Sequence, residues 1–328
     1  SENSCGTTGL AMIYQYLTGQ PISQREIDEQ IRRVNGFGTA PTDLVEFARS
    51  KGLTAEMYNN ASINDIKHHL SLGRAVQVSL DDPYDKGKNF GVNYKDHYVI
   101  VTGFVTIDGK EYVKVRDPNG DDNSNANKWV KGGNGDYLMP RDVFEQKWRR
   151  TGDGYNNFMI VYGKPGDRLP KGNIDGAEHS VNLGENWWNL ANNFDRVTSP
   201  RDAGDFAHGV IGGLGAAFGF TLTGPGWALS ALGREIDDWG KGLPRIFRGP
   251  VRLFGNLMAA PGLWMSSIGA GISGAFNHFG KAADSLFHGK VGDAVEEAGK
   301  GVVRAAEGVI DGAASAAKSV WKGITSIF

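Results

Sequence analysis

The chain has one cysteine, Cys5, and seven histidines among 328 residues. Cys5 stands where the first helical pattern opens: Leu10, Ile13, Tyr14 and Leu17 follow at i, i+3, i+4 and i+7, and Gly19 stops the run. At a helix start, unpaired backbone N–H groups and the positive end of the dipole favour a thiolate over a thiol. A Cys so placed is a candidate nucleophile, and its own N–H is a ready oxyanion donor. The plainer role for a lone Cys is a small buried hydrophobe. His97 begins the run HYVIVTGF, and Asp117 ends a second run in VRDPNG, where Pro118 stops the ladder. If the stretch from Gly103 to Glu111 is a tight hairpin connection, imidazole and carboxylate lie at the same end of paired strands. A thiol nucleophile needs that pair: His takes the proton, and Asp fixes the tautomer and steadies the imidazolium. Singly, His97 reads as a strand-end histidine and Asp117 as a turn-forming Asp before Pro; together with Cys5 they point to chemistry.

In the scaffold around these residues, Ser23 with Glu26 is a capping box opening a second helix to about Arg33. Pro41-Thr42-Asp43 starts a third helix that runs to Gly52, and Ser62 to Asp65 caps a fourth that ends at Gly73. Thr54–Tyr58 is extended. The period then changes: Ala75–Leu80, His97–Val105, Glu111–Arg116 and Asn157–Gly163 are β-branched and aromatic runs bounded by Gly, Asp and Pro. Asp108-Gly109 reads as a hairpin turn, and a helix near Arg141–Trp148 interrupts the strands. Helices followed by a meander of strands indicate an α+β domain with an antiparallel sheet.

These residues resemble a known family. Asn3-Ser4-Cys5-Gly6-Thr7-Thr8-Gly9-Leu10-Ala11-Met12, Asp96-His97-Tyr98-Val99-Ile100-Val101-Thr102-Gly103 and Val115-Arg116-Asp117-Pro118 are similar to the papain-like cysteine peptidases of the bacteriocin-processing (double-glycine leader) group, in its broad leader-peptidase-like branch. The similarity continues through the Phe144 and Trp148 helix and spans residues 1 to about 163. It implies a papain-like fold with Cys5 as nucleophile, His97 as base and Asp117 as orienting acid. The family usually sets an oxyanion-hole Gln several residues before the Cys, upstream of Ser1 here, which leaves Asn3 as the candidate stand-in. Thr7-Thr8 replace the Pro and small residues common after Cys-Gly.

Composition narrows the remaining functions. Lys+Arg 35 against Asp+Glu 37 gives a net charge of −2, which excludes a basic nucleic-acid module. One cysteine excludes an internal disulfide framework and a multi-thiolate zinc site. His68 and His69 have no carboxylate at ligand spacing and read as surface or partly packed. Asp121-Asp122-Asn123-Ser124-Asn125 has the composition of a calcium loop but lacks the Gly and terminal Glu of an EF-hand, so it reads as a polar loop. No metal and no cofactor are expected.

The second half differs in character, holding 29 of the 47 glycines after residue 165. The division expected is a peptidase domain at 1–163, a Pro/Gly-rich linker at 164–186 and a Gly/Ala-rich helical region at 187–328. Phe206–Gly233 and Leu253–Gly280 each run 28 residues without Asp, Glu, Lys or Arg, joined by a charged connector. Both are long enough to span a bilayer, where about 20 apolar residues suffice. Gly and Ala dominate them, however, and a Gly-Pro-Gly break at 224–226 and Pro261 interrupt them; a helical domain with a small-residue core fits equally. Val291–Phe328 is an amphipathic helix, with Val295, Val302, Val309 and Ala316, and beside them Val303, Ile310, Ala317 and Ile324, advancing by sevens; packing against a partner surface is the default.

The combined reading is a bacterial cysteine peptidase acting on a protein or peptide, of toxin or effector type, secreted or delivered into a target cell. The helical region would meet a membrane or an immunity or chaperone partner. Two alternatives stand beside it: the same triad serving an amidase, deamidase or acyltransferase, and a membrane-inserting toxin whose N-terminal domain is a processing or recognition module.

Overall fold

The computed structural model describes residues 4–31, 33–34, 38–81, 96–118, 130–131, 136–148, 157–170 and 182–326. The chain divides into two compact units, Ser1–Val181 and Asn182–Phe328.

In the first unit α1 (Cys5–Thr18), α2 (Gln24–Gln30), β1 (Arg33–Val34), β2 (Gly38–Thr39) and α3 (Pro41–Ser50) precede the main sheet. There follow β3 (Thr54–Tyr58), α4 (Ile63–Ser71), β4 (Ala75–Asp81), β5 (Asp96–Ile107), β6 (Lys110–Arg116), β7 (Val130–Lys131), β8 (Asp136–Pro140), α5 (Arg141–Trp148) and β9 (Met159–Gly163). Local signals account for the boundaries. Gly19 ends α1 in the left-handed region at φ 73° and donates its N–H to the Gln15 carbonyl. The Ser23 hydroxyl accepts the Glu26 N–H at 3.1 Å to start α2, which stops at Gln30, short of the expected Arg33, because Ile31 turns extended. Ser62 and Asp65 close a reciprocal capping box on α4. Asp108 (φ 49°) and Gly109 (φ 77°) both take positive φ in a two-residue turn joining β5 to β6.

Strands β3 to β9 form one antiparallel sheet in the order β3-β9-β4-β5-β6-β8-β7, and β1 pairs with β2 in a separate antiparallel ribbon. Strand β8 was not anticipated: its five residues follow a glycine-rich stretch and carry no clear alternation. Alternation divides β4 between two buried faces. Val76, Val78 and Leu80 join Val99, Val101, Val113, Val115 and Val161 in a core closed by Ile63 and Ile66 of α4 and by Phe144 and Trp148 of α5. The Phe144 and Trp148 pair is thus a packing motif, and Trp148 also donates Nε1–H to the Phe158 carbonyl at 2.7 Å. Gln77 and Ser79 face the other way, toward α1.

The second unit is helical: α6 (Asn182–Thr198), α7 (Ala203–Lys241), α8 (Arg245–Phe287) and α9 (Val291–Thr325). Helix α6 opens within the stretch expected as linker. The expected interruptions at Gly224-Pro225-Gly226 and Pro261 do not occur; α7 runs through Pro225 and α8 through Pro250 and Pro261. Each proline removes an N–H from the ladder, and interhelical packing holds the helices across the gaps. That packing is through glycine. A Cβ on Gly219, Gly226 or Gly233 of α7 would lie 2.4 to 2.7 Å from the carbonyl oxygen of Gly269, Gly262 or Gly255 of α8. The backbones therefore touch, antiparallel, once per seven residues. Helix α9 lays Gly301, Gly308, Gly312 and Gly323 on α8 in the same way. Its heptad valines do not make the expected partner contact: Val295, Val302, Val303 and Val309 are exposed, because the narrower glycine face permits the closer approach.

Candidate active site

The site is built at the start of β5 and the end of β6. The register pairs Ile100 with Arg116, which brings His97 and Asp117 to the same end of the two strands. His97 Nε2 and Asp117 Oδ1 are 2.7 Å apart, and both side chains are almost wholly buried. A carboxylate only accepts, so Nε2 carries the proton and Nδ1, on the other side of the ring, is the basic nitrogen.

Cys5 is the first residue of α1 and is partly exposed. Burial pushes its thiol pKa up, backbone N–H groups of Tyr98 and Gly6 pull it down, and the negative charge of Asp117 raises it again. The net direction is upward, so the thiol rests protonated; the expectation that the helix start would favour a thiolate is outweighed by burial. Tyr98 adjoins His97 in β5, so the thiol meets the strand one residue from the imidazole, within reach of the Asp117 charge.

The residues around Cys5 hold α1 against the sheet. Gly6 is tight: a Cβ there would stand 3.3 Å from Leu44, Thr39 and Tyr98. Thr7 is buried, and its hydroxyl donates to Asp28 of α2 at 2.7 Å. Gln77 of β4, fully buried, donates Nε2–H to the Gly6 carbonyl at 3.2 Å and accepts the Tyr162 hydroxyl at 2.8 Å. Gly9 leaves room for that amide, since a Cβ would come 2.6 Å from Gln77 Nε2 and 3.6 Å from Pro118 beside Asp117. Sequence reading passed over Gln77; its signal is an amide in the middle of the apolar run AVQVSL.

Asn3 and Asp121–Asn125 lie outside the described residues. His69, expected to be at the surface or partly packed, is enclosed outright. It is buried, its ring centroid is 5.3 Å from that of Tyr58, and its Nδ1 accepts from Arg74 at 3.1 Å. Burial and the Arg74 charge lower its pKa to about 4. Arg74 in turn pairs with Asp167 at 2.9 Å. A surface cleft lined by Asn60, Ser62, Asn64, Arg141, Glu145 and Trp148 involves none of Cys5, His97 and Asp117. Asp202, Asp284 and His288 converge in the second unit, but they serve helix ends: Asp202 accepts the Asp205 N–H, and His288 Nδ1 meets the Asp284 carbonyl.

Residues 1–156 match the profile of the Peptidase_C39 like family. Among curated proteins none matches the chain. Among solved structures the chain is similar to a protein from Bacillus anthracis described as a C39-like peptidase, with 20% identity and a TM-score of 0.37 over 50% of this chain and 90% of that one. The matched stretch covers just under half of the chain and includes the positions of Cys5, His97 and Asp117.

Proposed function

We propose that the first unit is a cysteine peptidase acting on a protein or peptide, with Cys5 as nucleophile, His97 as base and Asp117 as orienting acid. The observation that carries this reading is the 2.7 Å bond from His97 to Asp117, with the Cys5 thiol seated one residue away along β5. Because the resting thiol is neutral, its proton passes to His97 as sulfur attacks the carbonyl carbon. The C–N bond then breaks, the amine leaves with the proton from the imidazolium, and a thioester remains. Water, deprotonated by His97, attacks the thioester, and the acid departs as the thiol is restored. On this reading the backbone N–H groups of Cys5 and Gly6, at the open start of α1, are the donors for negative charge on the carbonyl oxygen.

Support for a bacterial toxin or effector role is the joining of such a unit to a glycine-rich helical one. The peptidase reading is tested by incubating the full chain with a diverse peptide library and following new termini by mass spectrometry. Cleavage is expected, lost in Cys5→Ala and His97→Ala and reduced about 10²- to 10⁴-fold in Asp117→Asn, whose amide would hold the wrong tautomer. A mass change of about one dalton without cleavage would instead mark a deamidase using the same thioester. No turnover and no labelling of Cys5 by an acyl-type thiol probe would overturn the reading.

A further inference from the structure

The second unit is built inside out. In water, a helical bundle buries large apolar side chains and exposes charge. Here the helix contacts are made by glycine and by hydrogen-bonded polar pairs: Asn189 Nδ2 donates to Ser273 Oγ at 3.0 Å, and Asn186 bonds to Thr223. Trp188 and Leu263 are buried, but many of the large aromatic and aliphatic residues point outward. Phe218 of α7 is 61% exposed, Phe254 of α8 56% and Val302 of α9 63%. Helix α7 is long and apolar enough to cross a membrane, and only 39% of its apolar window is buried inside the bundle, which sets it apart from a core helix of an ordinary globular protein.

The register of the hairpin adds a second, independent observation. Gly233 of α7 meets Gly255 of α8, and His208 lies on Gly280. The two charge-free runs, Phe206–Gly233 and Leu253–Gly280, therefore lie side by side at one level, forming a single band. At 1.5 Å per residue the band is about 42 Å long, enough to cross a hydrocarbon layer of about 30 Å with tilt or margin. Charge resumes at both ends. At the α7–α8 turn Arg245 and Arg248 are exposed, which suits anionic lipid headgroups, and Lys241 beside them pairs with the exposed Asp238. The acidic Asp237 at that end is buried and neutralised by Arg252 at 2.9 Å and Lys322 at 3.0 Å. The charges of α9 are paired with three helices: Arg304 grips both oxygens of Glu185 of α6 at 2.9 Å, Glu297 meets His278 of α8 at 2.8 Å, and Lys322 meets Asp237 of α7.

We propose that the α7–α8 hairpin is a lipid-seated element, whose outward faces contact the hydrocarbon of a bilayer containing anionic phospholipid, with the Lys241–Arg248 turn at one headgroup layer. A second copy of the chain suits the surface less well. The exposed apolar residues stand on the outer faces of several helices, whereas a two-fold dimer covers one self-complementary patch. The level charge-free band also has no purpose in such an interface.

The test uses the full chain and extruded vesicles of equal parts phosphatidylcholine and phosphatidylglycerol. The wild type is expected to float with the vesicles, and its tryptophan emission to be quenched by brominated acyl chains, since Trp227 and Trp264 are partly exposed within the band. The variant Leu214→Glu/Phe218→Glu, at two exposed positions, is expected to lose at least about ten-fold in partitioning, as charge at bilayer depth is costly. Leu72→Glu on the first unit and Cys5→Ala are expected to float as the wild type does, so the outcome is independent of peptidase activity. Quenching of the wild type requires no variant to fold. Wild-type chain that stays in the aqueous layer unquenched, including as a discrete dimer, overturns the proposal; so does a glutamate variant that keeps its helix content and floats undiminished.

Discussion

Gln77 offers a direct test of how the sheet positions the nucleophile. Its amide joins the Gly6 carbonyl to the Tyr162 hydroxyl, and all three groups are buried. Gln77→Leu removes two hydrogen bonds, each worth about 1 kcal/mol net, and strands the Tyr162 hydroxyl at a further cost of about 1 kcal/mol, for a total of about 3 kcal/mol. Tyr162→Phe removes one bond and leaves Gln77 Oε1 short of a donor, about 1.5 kcal/mol. In the double variant no hydroxyl is stranded, so its cost falls to about 2 kcal/mol, below that of Gln77→Leu alone, and the coupling is about 2.5 kcal/mol. Pulse proteolysis across a urea series, read by mass spectrometry at peptides from residues 1–181, reports the unfolding of this unit alone, and with a slope of roughly 2 kcal/mol per molar urea the Gln77→Leu midpoint falls by about 1.5 M. Strict additivity of the two substitutions, or an unmoved Gln77→Leu midpoint, refutes the clamp.

Three further outcomes follow from the geometry. Because burial raises the Cys5 pKa, the pH of half-maximal iodoacetamide reaction is expected to be higher in the folded than in the urea-unfolded chain, and a lower value contradicts the neutral resting thiol. His69 is held near 4 against 6.5 unfolded, so the unfolded state binds more protons between those values; the first unit loses about 3 kcal/mol as pH falls from 6.5 through 4, and His69→Phe flattens that slope in acid-unfolding curves. Gly262→Ala, whose Cβ would lie 2.5 Å from the Gly226 carbonyl oxygen, is expected to cost about 2 kcal/mol in the helical unit, whereas Gly299→Ala, with nothing within 4 Å, gains up to about 1 kcal/mol by thermal denaturation.

Much of the first unit was legible because its signals are local. The caps at Ser23 and Ser62, the stop at Gly19, the Asp-Gly turn and the β-branched runs each act within a few residues, and the turn with its register carries His97 to Asp117. What escaped is set by contacts distant in sequence. His69 follows the surface pattern of α4 until Arg74 and Tyr58 enclose it. Gln77 looks like a polar lapse in a strand until α1 lies on it. Burial of the Cys5 thiol outweighs the helix start, and burial is not written in the residues beside it in sequence. In the second unit, periodicity located α9 but assigned its faces in reverse. A heptad of valines is an interior stripe by ordinary hydrophobic logic, whereas glycine carries no apolar payload and marks an interface only through how closely it lets backbones approach.

The seven-residue spacing of the glycines has a consequence for how the hairpin is locked. Sliding α7 past α8 by two turns would set Gly226 opposite Gly269 and Gly233 opposite Gly262, re-forming two of the three glycine contacts, so the packing is partly degenerate along the axis. What distinguishes one alignment from the next is the sparse polar set: Asn189 with Ser273, Asn186 with Thr223, and Asp237 with Arg252 and Asn256. These bonds act as detents on an otherwise smooth rail, and their removal would free the two helices to ratchet while staying in contact.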